Sequence, residues 1–282
     1  MKWLSFRSDG VAGYGLLTDE GVRPVGPLFA ARYPDLRAAL AADVLAEAAA
    51  AARSNPWVRP LTSVEPEPPI PLPGKILCVG INYLAHMREM GHERPAYPTL
   101  FVRFPDTLVG DRGHIQAPRV SGQYDYEGEL AVIIGRRAHE VAAADALSYI
   151  AGYSILMDGS VRDYQRHTSQ FTSGKNFPRS GAFGPCMVTA DEIPDPSSLR
   201  IETRLNAKVM QQAPIADMCF DVPALVSYIS TVMLLEPGDV ISTGTPSGVG
   251  FARKPPVFLR PGDSLDVEIP GIGVLHNTVV GG

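Results

Sequence analysis

Seven prolines fall between Pro56 and Gly74, among them the run PEPPIPLP, and no regular helix or central strand threads such a segment. Proline lacks the amide donor that either element needs, and it holds the preceding residue in extended backbone. The chain is therefore expected to divide here, into a small N-terminal domain with its linker (residues 1–73) and a larger domain (74–282). Gly and Pro together make 53 of the 282 residues, well above the average share of about 12%. That excess implies many turns and favours short strands over long helices.

The rest of the composition narrows the function classes. Hydrophobic residues are 45% and charged residues 20%, the balance of an ordinary folded protein. With 25 Lys and Arg against 30 Asp and Glu and no basic run, the chain offers no electrostatic footprint for nucleic acid or an anionic membrane. No apolar stretch approaches bilayer length, and MKWLSFRSDG lacks the apolar core of a secretion signal, so a cytoplasmic protein is expected. Cys78, Cys186 and Cys219 are odd in number and widely spaced, which argues for reduced thiols over a disulfide framework or a zinc site.

Along the chain, MKWLSF, VAGYGLLT and GVRPVG read as short hairpin strands. Residues 35–53 are strong helix formers with Leu36, Leu40, Val44 and Ala48 on one face, a single packing helix closed by Asn55-Pro56. After the proline segment, KILCVG is a buried strand leading into the helically spaced INYLAHMREMG. ELAVIIG and AGYSILMDGS are two further apolar strands, and ALVSYISTVMLL (224–235), DVISTG and SLDVEI alternate or run apolar between Gly-Pro turns. The reading is a mainly β (α+β) fold with a few short helices.

Within DYEGELAVIIG, alternation along a strand puts Glu127 and Glu129 side by side at the entrance of a segment that otherwise buries Leu, Val and Ile. Two adjacent carboxylates either lie on a solvated edge or need a cation or a shared proton. Asp158 ends another apolar strand, and three such carboxylates make an oxygen-rich set suited to Mg²⁺, Mn²⁺ or Ca²⁺ rather than to zinc or copper. His86 and Glu89 are i and i+3 on the expected helix, a spacing that suits either a surface pair or a general base whose tautomer the carboxylate holds. Lys175, in the loop SGKNFPRSGAFGP, either is solvated or faces an oxyanion or a substrate carboxylate. The segment 243–250, TGTPSGVG, forms a turn whose amides and hydroxyls can cradle an anion. Tyr83, Arg162 and Gln165 are polar or amphipathic residues beside these sites.

Motifs that are missing also discriminate. There is no GxSxG elbow, HExxH, GxxxxGK[ST] or helix-opening GxGxxG, which removes most support for serine-hydrolase, zinc-protease, P-loop and Rossmann readings. Taken together and in order, KILCVGINYLAH with HxxE, DYEGELAVIIG, GYSILMDGSVRDYQ, the GK loop, FDVPALVSYIS and LEPGDVISTGTPSGVG resemble the fumarylacetoacetate hydrolase family, in its short bacterial acylpyruvate-hydrolase branch. The resemblance covers about residues 75–282.

It implies a mixed β-sandwich roll behind a small N-terminal α+β domain, assembled as a homodimer. It implies Mg²⁺ or Mn²⁺ on Glu127, Glu129 and Asp158, water activation by His86 with Glu89 on a mobile lid, and oxyanion stabilisation by Lys175. Arg162, Gln165 and Thr245 match positions that contact the substrate carboxylate and keto group, and Tyr83 and Arg103 join them as substrate-side candidates. The implied reaction is hydrolysis of a C–C bond in a 2,4-dioxo acid such as an acylpyruvate or fumarylpyruvate, in catabolism of aromatic or related compounds. Oxaloacetate decarboxylation and isomerisation of a 2-oxo-diene-dioate are alternatives at the same site, and a non-catalytic 2-oxo-acid binding protein is an alternative of another class. Arg103 stands where relatives often carry lysine and Cys186 where a tryptophan is common; these departures are expected to alter substrate preference.

Overall fold

The computed structural model describes every residue of the chain except His92. The N-terminal region begins with a meander of β1 (Lys2–Ser8), β2 (Val11–Thr18) and β3 (Gly21–Pro24), followed by helices α1 (Pro27–Arg32), α2 (Leu36–Ala41) and α3 (Leu45–Ser54). The single helix expected over 35–53 is thus two helices. Asp43, in the left-handed region at φ 56°, turns the chain between them. Leu36, Leu40 and Ala48 of the expected face are nevertheless buried. The proline segment also departs from expectation. Its β4 (Glu65–Glu67) pairs with β1, Pro66 opposite Phe6, on a flank of the sheet where one missing amide is tolerated.

The larger region runs through β5 (Ile76–Gly80), α4 (Leu84–Met90), β6 (Thr99–Arg103), β7 (Leu108–Val109), β8 (His114–Ala117), β9 (Tyr124–Asp125), β10 (Gly128–Ile134), β11 (Ile150–Met157) and β12 (Ser160–Val161). Two short helices, α5 (Arg162–Gln165) and α6 (Thr172–Lys175), precede β13 (Gly181–Thr189), β14 (Arg200–Leu205) and β15 (Lys208–Pro214). Helix α7 (Val222–Val232), β16 (Val240–Ser242), β17 (Ser264–Ile269) and β18 (Gly273–Gly281) complete the chain. Helix α7 covers most of the 224–235 run, which reads from alternation alone like its β neighbours. Its start is set by Asp221, whose carboxylate accepts from the Ala224 amide, with Pro223 in the first turn.

The strands make two main sheets. The larger follows the order β3-β2-β1-β13-β11-β10-β16-β5-β6, with β4 and β7 branching from it; the smaller is β15-β14-β17-β18-β8. Strand β10 explains why its sequence is apolar at every position. Leu130, Val132 and Ile134 join the core shared with Leu205, Val267 and Leu275 of the second sheet, while Ala131 and Ile133 join the core shared with Leu36, Ala39 and Ala48 of the N-terminal helices. Both faces are covered, so period-2 alternation vanishes. The sheet-dominated α+β sandwich expected from the sequence is borne out.

Trp3 marks how the N-terminal strands are tied in. It is fully buried, lies opposite Met187 across the β1–β13 ladder, and packs on Tyr14 with ring centroids 6.1 Å apart. Trp3→Ala should cost about 3–5 kcal/mol, the usual loss for a buried large aromatic. Urea unfolding should show one transition at lower midpoint; a separate early transition with the main one unmoved would contradict the shared core.

Candidate active site

The large sheet gathers its polar residues at one end, where β10 begins, β11 finishes, and β5 and β16 both terminate. Antiparallel pairing sets Gly128 opposite Met157, so Glu127, Glu129 and Asp158 meet there, all three buried. Carboxylate oxygens of the three lie within 4.8 Å of one another. Their surroundings differ. Glu127 is ion-paired to Arg162 Nη2 at 2.7 Å and Lys175 Nζ at 2.6 Å; Asp158 is ion-paired to Arg103 Nη1 at 2.7 Å and Lys175 Nζ at 2.5 Å. Glu129 receives only neutral donors, the Ser242 hydroxyl at 2.6 Å and the Gly244 amide at 2.9 Å, both on Oε2.

The charge balance follows from these partners. Burial pushes the Glu127 carboxyl up, but Arg162 and then Lys175 outweigh it and hold the group far below the usual carboxylate range. Burial pushes Glu129 well above that range, and the charges of Asp158 and Glu127 add to it. A hard divalent cation fits this set. All donors are oxygen, and the trio includes a buried carboxylate, Glu129, that makes no ion pair among the described residues.

Helix α4 carries His86 and Glu89 on one face, as their spacing predicts. The Glu89 Oε2 sits 2.8 Å from His86 Nδ1, and Glu89 Oε1 accepts from the Gly248 amide at 2.9 Å. A carboxylate on Nδ1–H leaves Nε2 as the basic nitrogen. The 243–250 turn does cradle anions, and they are the protein's own: Gly244, Gly248 and Gly250 donate to Glu129, Glu89 and Asp125. Gly244 is required there. At φ +100° a Cβ would stand 2.8 Å from the Asn82 Cβ and 2.9 Å from the Val79 carbonyl oxygen.

His86, Glu127 and Glu129 line a cavity of about 190 Å³, together with Arg162, Gln165, Lys175 and Thr245. That is below the roughly 300–1,000 Å³ of pockets for drug-sized ligands, so it suits a small metabolite. Part of the wall is apolar, built from Val79, Ile81, Met90, Phe101, Phe171 and Phe251. Ile81 is β-branched yet sits at φ 56°, a backbone that costs about 1–3 kcal/mol and persists only where neighbours impose it. The imposing neighbour is Asn82, whose side chain bonds the Phe220 and Thr243 carbonyls and the Phe220 amide.

Two sequence candidates, Arg103 and Tyr83, lie elsewhere, as does Cys186, one of the two departures from the family pattern. Arg103 is not in the cavity wall but behind the carboxylates, where its fork holds Asp158, the Gly159 carbonyl, Thr107 and Ser180. Tyr83 is buried behind the site, its hydroxyl without a partner among the described residues, and burial followed by Glu129 and Asp217 pushes its phenol far up. Cys186 is sealed in the core of β13. Neither departure lines the cavity: Arg103 packs behind the carboxylates, and Cys186 lies in the core beside Ile272. Arg103→Met should leave Asp158 short of one cation and lower stability by about 3–5 kcal/mol in denaturant unfolding. A loss under 1 kcal/mol would show that Lys175 alone compensates Asp158.

Sequence reasoning missed Asp125, Arg166 and the apolar wall. Asp125 is buried and ion-paired with Arg162 Nη2 at 2.8 Å, which fixes that guanidinium beside Glu127. The signal for it is the strand parity of DYE, which puts Asp125 on the side of Glu127 and Glu129.

Comparison with known proteins agrees with this geometry. Residues 75–280 match the family model described as fumarylacetoacetate (FAA) hydrolase C-terminal. The mitochondrial oxaloacetate tautomerase FAHD2A of Bos taurus is 42% identical over 214 residues, 75% of this chain and 68% of that protein. The oxaloacetate tautomerase YisK of Bacillus subtilis (strain 168) is 41% identical over 223 residues, 78% of this chain and 74% of that protein. Among solved structures, a fumarylacetoacetate hydrolase from psychrophilic Exiguobacterium antarcticum is 35% identical with a TM-score of 0.86, covering 100% of both chains. A maleylpyruvate hydrolase from Sphingobium sp. SYK-6, in complex with manganese(II) and pyruvate, is 29% identical with a TM-score of 0.84, again over 100% of both. Since the family match takes in every strand and helix that contributes a side chain to the cavity, the chain belongs to the fumarylacetoacetate hydrolase family of enzymes.

Proposed function

We propose that this enzyme moves a proton at the carbon beside the keto group of a small 2-oxo acid, with oxaloacetate keto–enol tautomerisation as its reaction. The observation that carries the reading is the His86–Glu89 pair beside the three-carboxylate cluster, with His86, Glu127 and Glu129 lining one small cavity that is apolar over part of its wall. Residues 74–282 carry the site in this proposal, and residues 1–73 buttress the sheet. Glu127, Glu129 and Asp158 would hold Mg²⁺ or Mn²⁺, which supplies Lewis acidity toward the C1 carboxylate and C2 oxygen.

His86 Nε2 takes the proton from C3 or from the enol hydroxyl, and Glu89 on Nδ1 steadies the ring as it becomes positive. Lys175 offsets negative charge as it gathers on the C2 oxygen. Arg162, Gln165 and Thr245 orient the acid. The apolar wall and small volume keep bulk water away while the proton is returned to the other atom. The relatives named oxaloacetate tautomerase, at 40–42% identity, support this reading over the hydrolases at lower identity.

C–C hydrolysis of a 2,4-dioxo acid, the reaction implied by the sequence, is the second reading. It is favoured by the full-length likeness to the maleylpyruvate hydrolase. His86 would then deprotonate water for attack on the C4 carbonyl.

The deciding assay gives the Mg²⁺-loaded protein, with a chelator control, freshly dissolved enol-oxaloacetate, acetylpyruvate and fumarylpyruvate. Loss of enol absorbance with no cleavage product is expected. Release of pyruvate with acetate or fumarate would replace the tautomerase with the hydrolase, and CO₂ from oxaloacetate would point to decarboxylation.

A further inference from the structure

Arg166 follows Gln165 at the end of helix α5 and lines the same cavity as Glu127, Glu129 and His86. Its guanidinium is fixed from three directions. Nε donates to the Arg162 carbonyl at 3.1 Å, Nη2 donates to Gln123 Oε1 at 3.1 Å, and the plane lies over the Phe251 ring at 4.5 Å from its centroid. Nη1 makes no hydrogen bond, and no carboxylate stands within ion-pair distance, among the described residues.

The other cations at the site are committed. Arg103, Arg162 and Lys175 are all buried and all ion-paired with Asp125, Glu127 or Asp158. Four buried carboxylates, counting Glu129, thus face three buried cations. A divalent ion reverses that deficit by one charge, which the C1 carboxylate of a 2-oxo acid offsets. Arg166 then remains as a positioned, uncommitted cation with its donor edge free, and a stacked guanidinium is well suited to a planar carboxylate.

We infer that Arg166 is the specificity determinant for a second, distal carboxylate, so that the enzyme takes 2-oxo dicarboxylates in preference to 2-oxo monocarboxylates. The inference rests on the proposed 2-oxo-acid reading and deepens it. Phe251 supports Arg166 from below, and Gln123 and the Arg162 carbonyl fix its direction, so little side-chain entropy is lost when the acid binds.

The test is calorimetric titration of the Mn²⁺-loaded protein with oxaloacetate and with 2-oxobutyrate, which has the same carbon count and no distal carboxylate. Arg166→Met should weaken oxaloacetate about 10- to 100-fold, the worth of a charge-assisted hydrogen bond. Its 2-oxobutyrate affinity should stay within about twofold, the bound for a group that does not touch that ligand. Arg166→Lys, which restores charge without the fork, should recover part of the loss. Equal weakening of both acids, or of neither, would overturn the role of Arg166 while leaving the 2-oxo-acid reading intact. Failure of the unaltered protein to bind either acid would overturn both.

Discussion

Replacing Glu129 with glutamine is expected to abolish divalent-metal binding and activity while leaving the metal-free fold as stable as before. The reason lies in how unequally the three carboxylates are compensated. Removing Asp158 would leave buried Arg103 without a carboxylate, and removing Glu127 would take one of the two carboxylates from each of Arg162 and Lys175, at a cost of up to about 3–5 kcal/mol. Loss of activity in those variants would therefore be ambiguous. Glu129 holds only the Ser242 hydroxyl and the Gly244 amide, both on one oxygen that a glutamine carbonyl reproduces. The amide also removes a buried like charge beside Asp158 and Glu127, which favours the metal-free state. Thermal unfolding reads the outcome directly. Metal at 100 times its dissociation constant should stabilise the unaltered protein by about 2.7 kcal/mol and raise its Tm, and should leave the Tm of Glu129→Gln where it was. A metal-induced rise of normal size in the variant would remove Glu129 from the ligand set.

That asymmetry was not legible in the sequence, though the carboxylates themselves were. Glu127, Glu129 and Asp158 announce themselves because an ionisable group beside a fully apolar strand needs an explanation. The cations that compensate them come from β6, α5 and α6, at sequence separations no local pattern reports. Arg103 illustrates the limit. The family resemblance suggested a substrate contact, but only the tertiary pairing reveals that its fork is spent on Asp158 and the Gly159 carbonyl. The apolar wall was hidden for the opposite reason, since Val79, Phe101 and Phe251 read as ordinary core until a cavity is seen beside them. The same holds for the fold. Periodicity located β5, β10 and β11, but it joined α2 to α3 because a left-handed Asp43 has no periodic signature, and it left α7 among β segments although Asp221 and Pro223 mark a helix start.

His86→Asn should lower kcat by about 100- to 10,000-fold, the range for a positioned general base, with the metal-induced Tm shift retained. Asparagine cannot take up a proton, but it is polar and smaller than imidazole, and His86 contacts none of the three carboxylates by hydrogen bond. Metal loading and base function are therefore separable at this position. Glu89→Gln should fall between the variant and the unaltered protein. Its amide offers one acceptor oxygen where Glu89 uses two, so it can keep either the Nδ1–H or the Gly248 amide but not both, and it no longer stabilises an imidazolium. The most direct readout is hydrogen–deuterium exchange at C3 of oxaloacetate in deuterated buffer, followed by NMR, because exchange reports proton abstraction whether or not a bond is later cleaved. In the tautomerase reading, exchange and enol loss fall together in His86→Asn, as one base serves both directions of a reversible transfer. In the hydrolase reading, C3 exchange survives while cleavage of fumarylpyruvate is lost, because the proton that matters comes from water. Exchange and turnover both unchanged in the variant would place the base elsewhere and return His86 and Glu89 to a structural pair that ties α4 to the turn at Gly248.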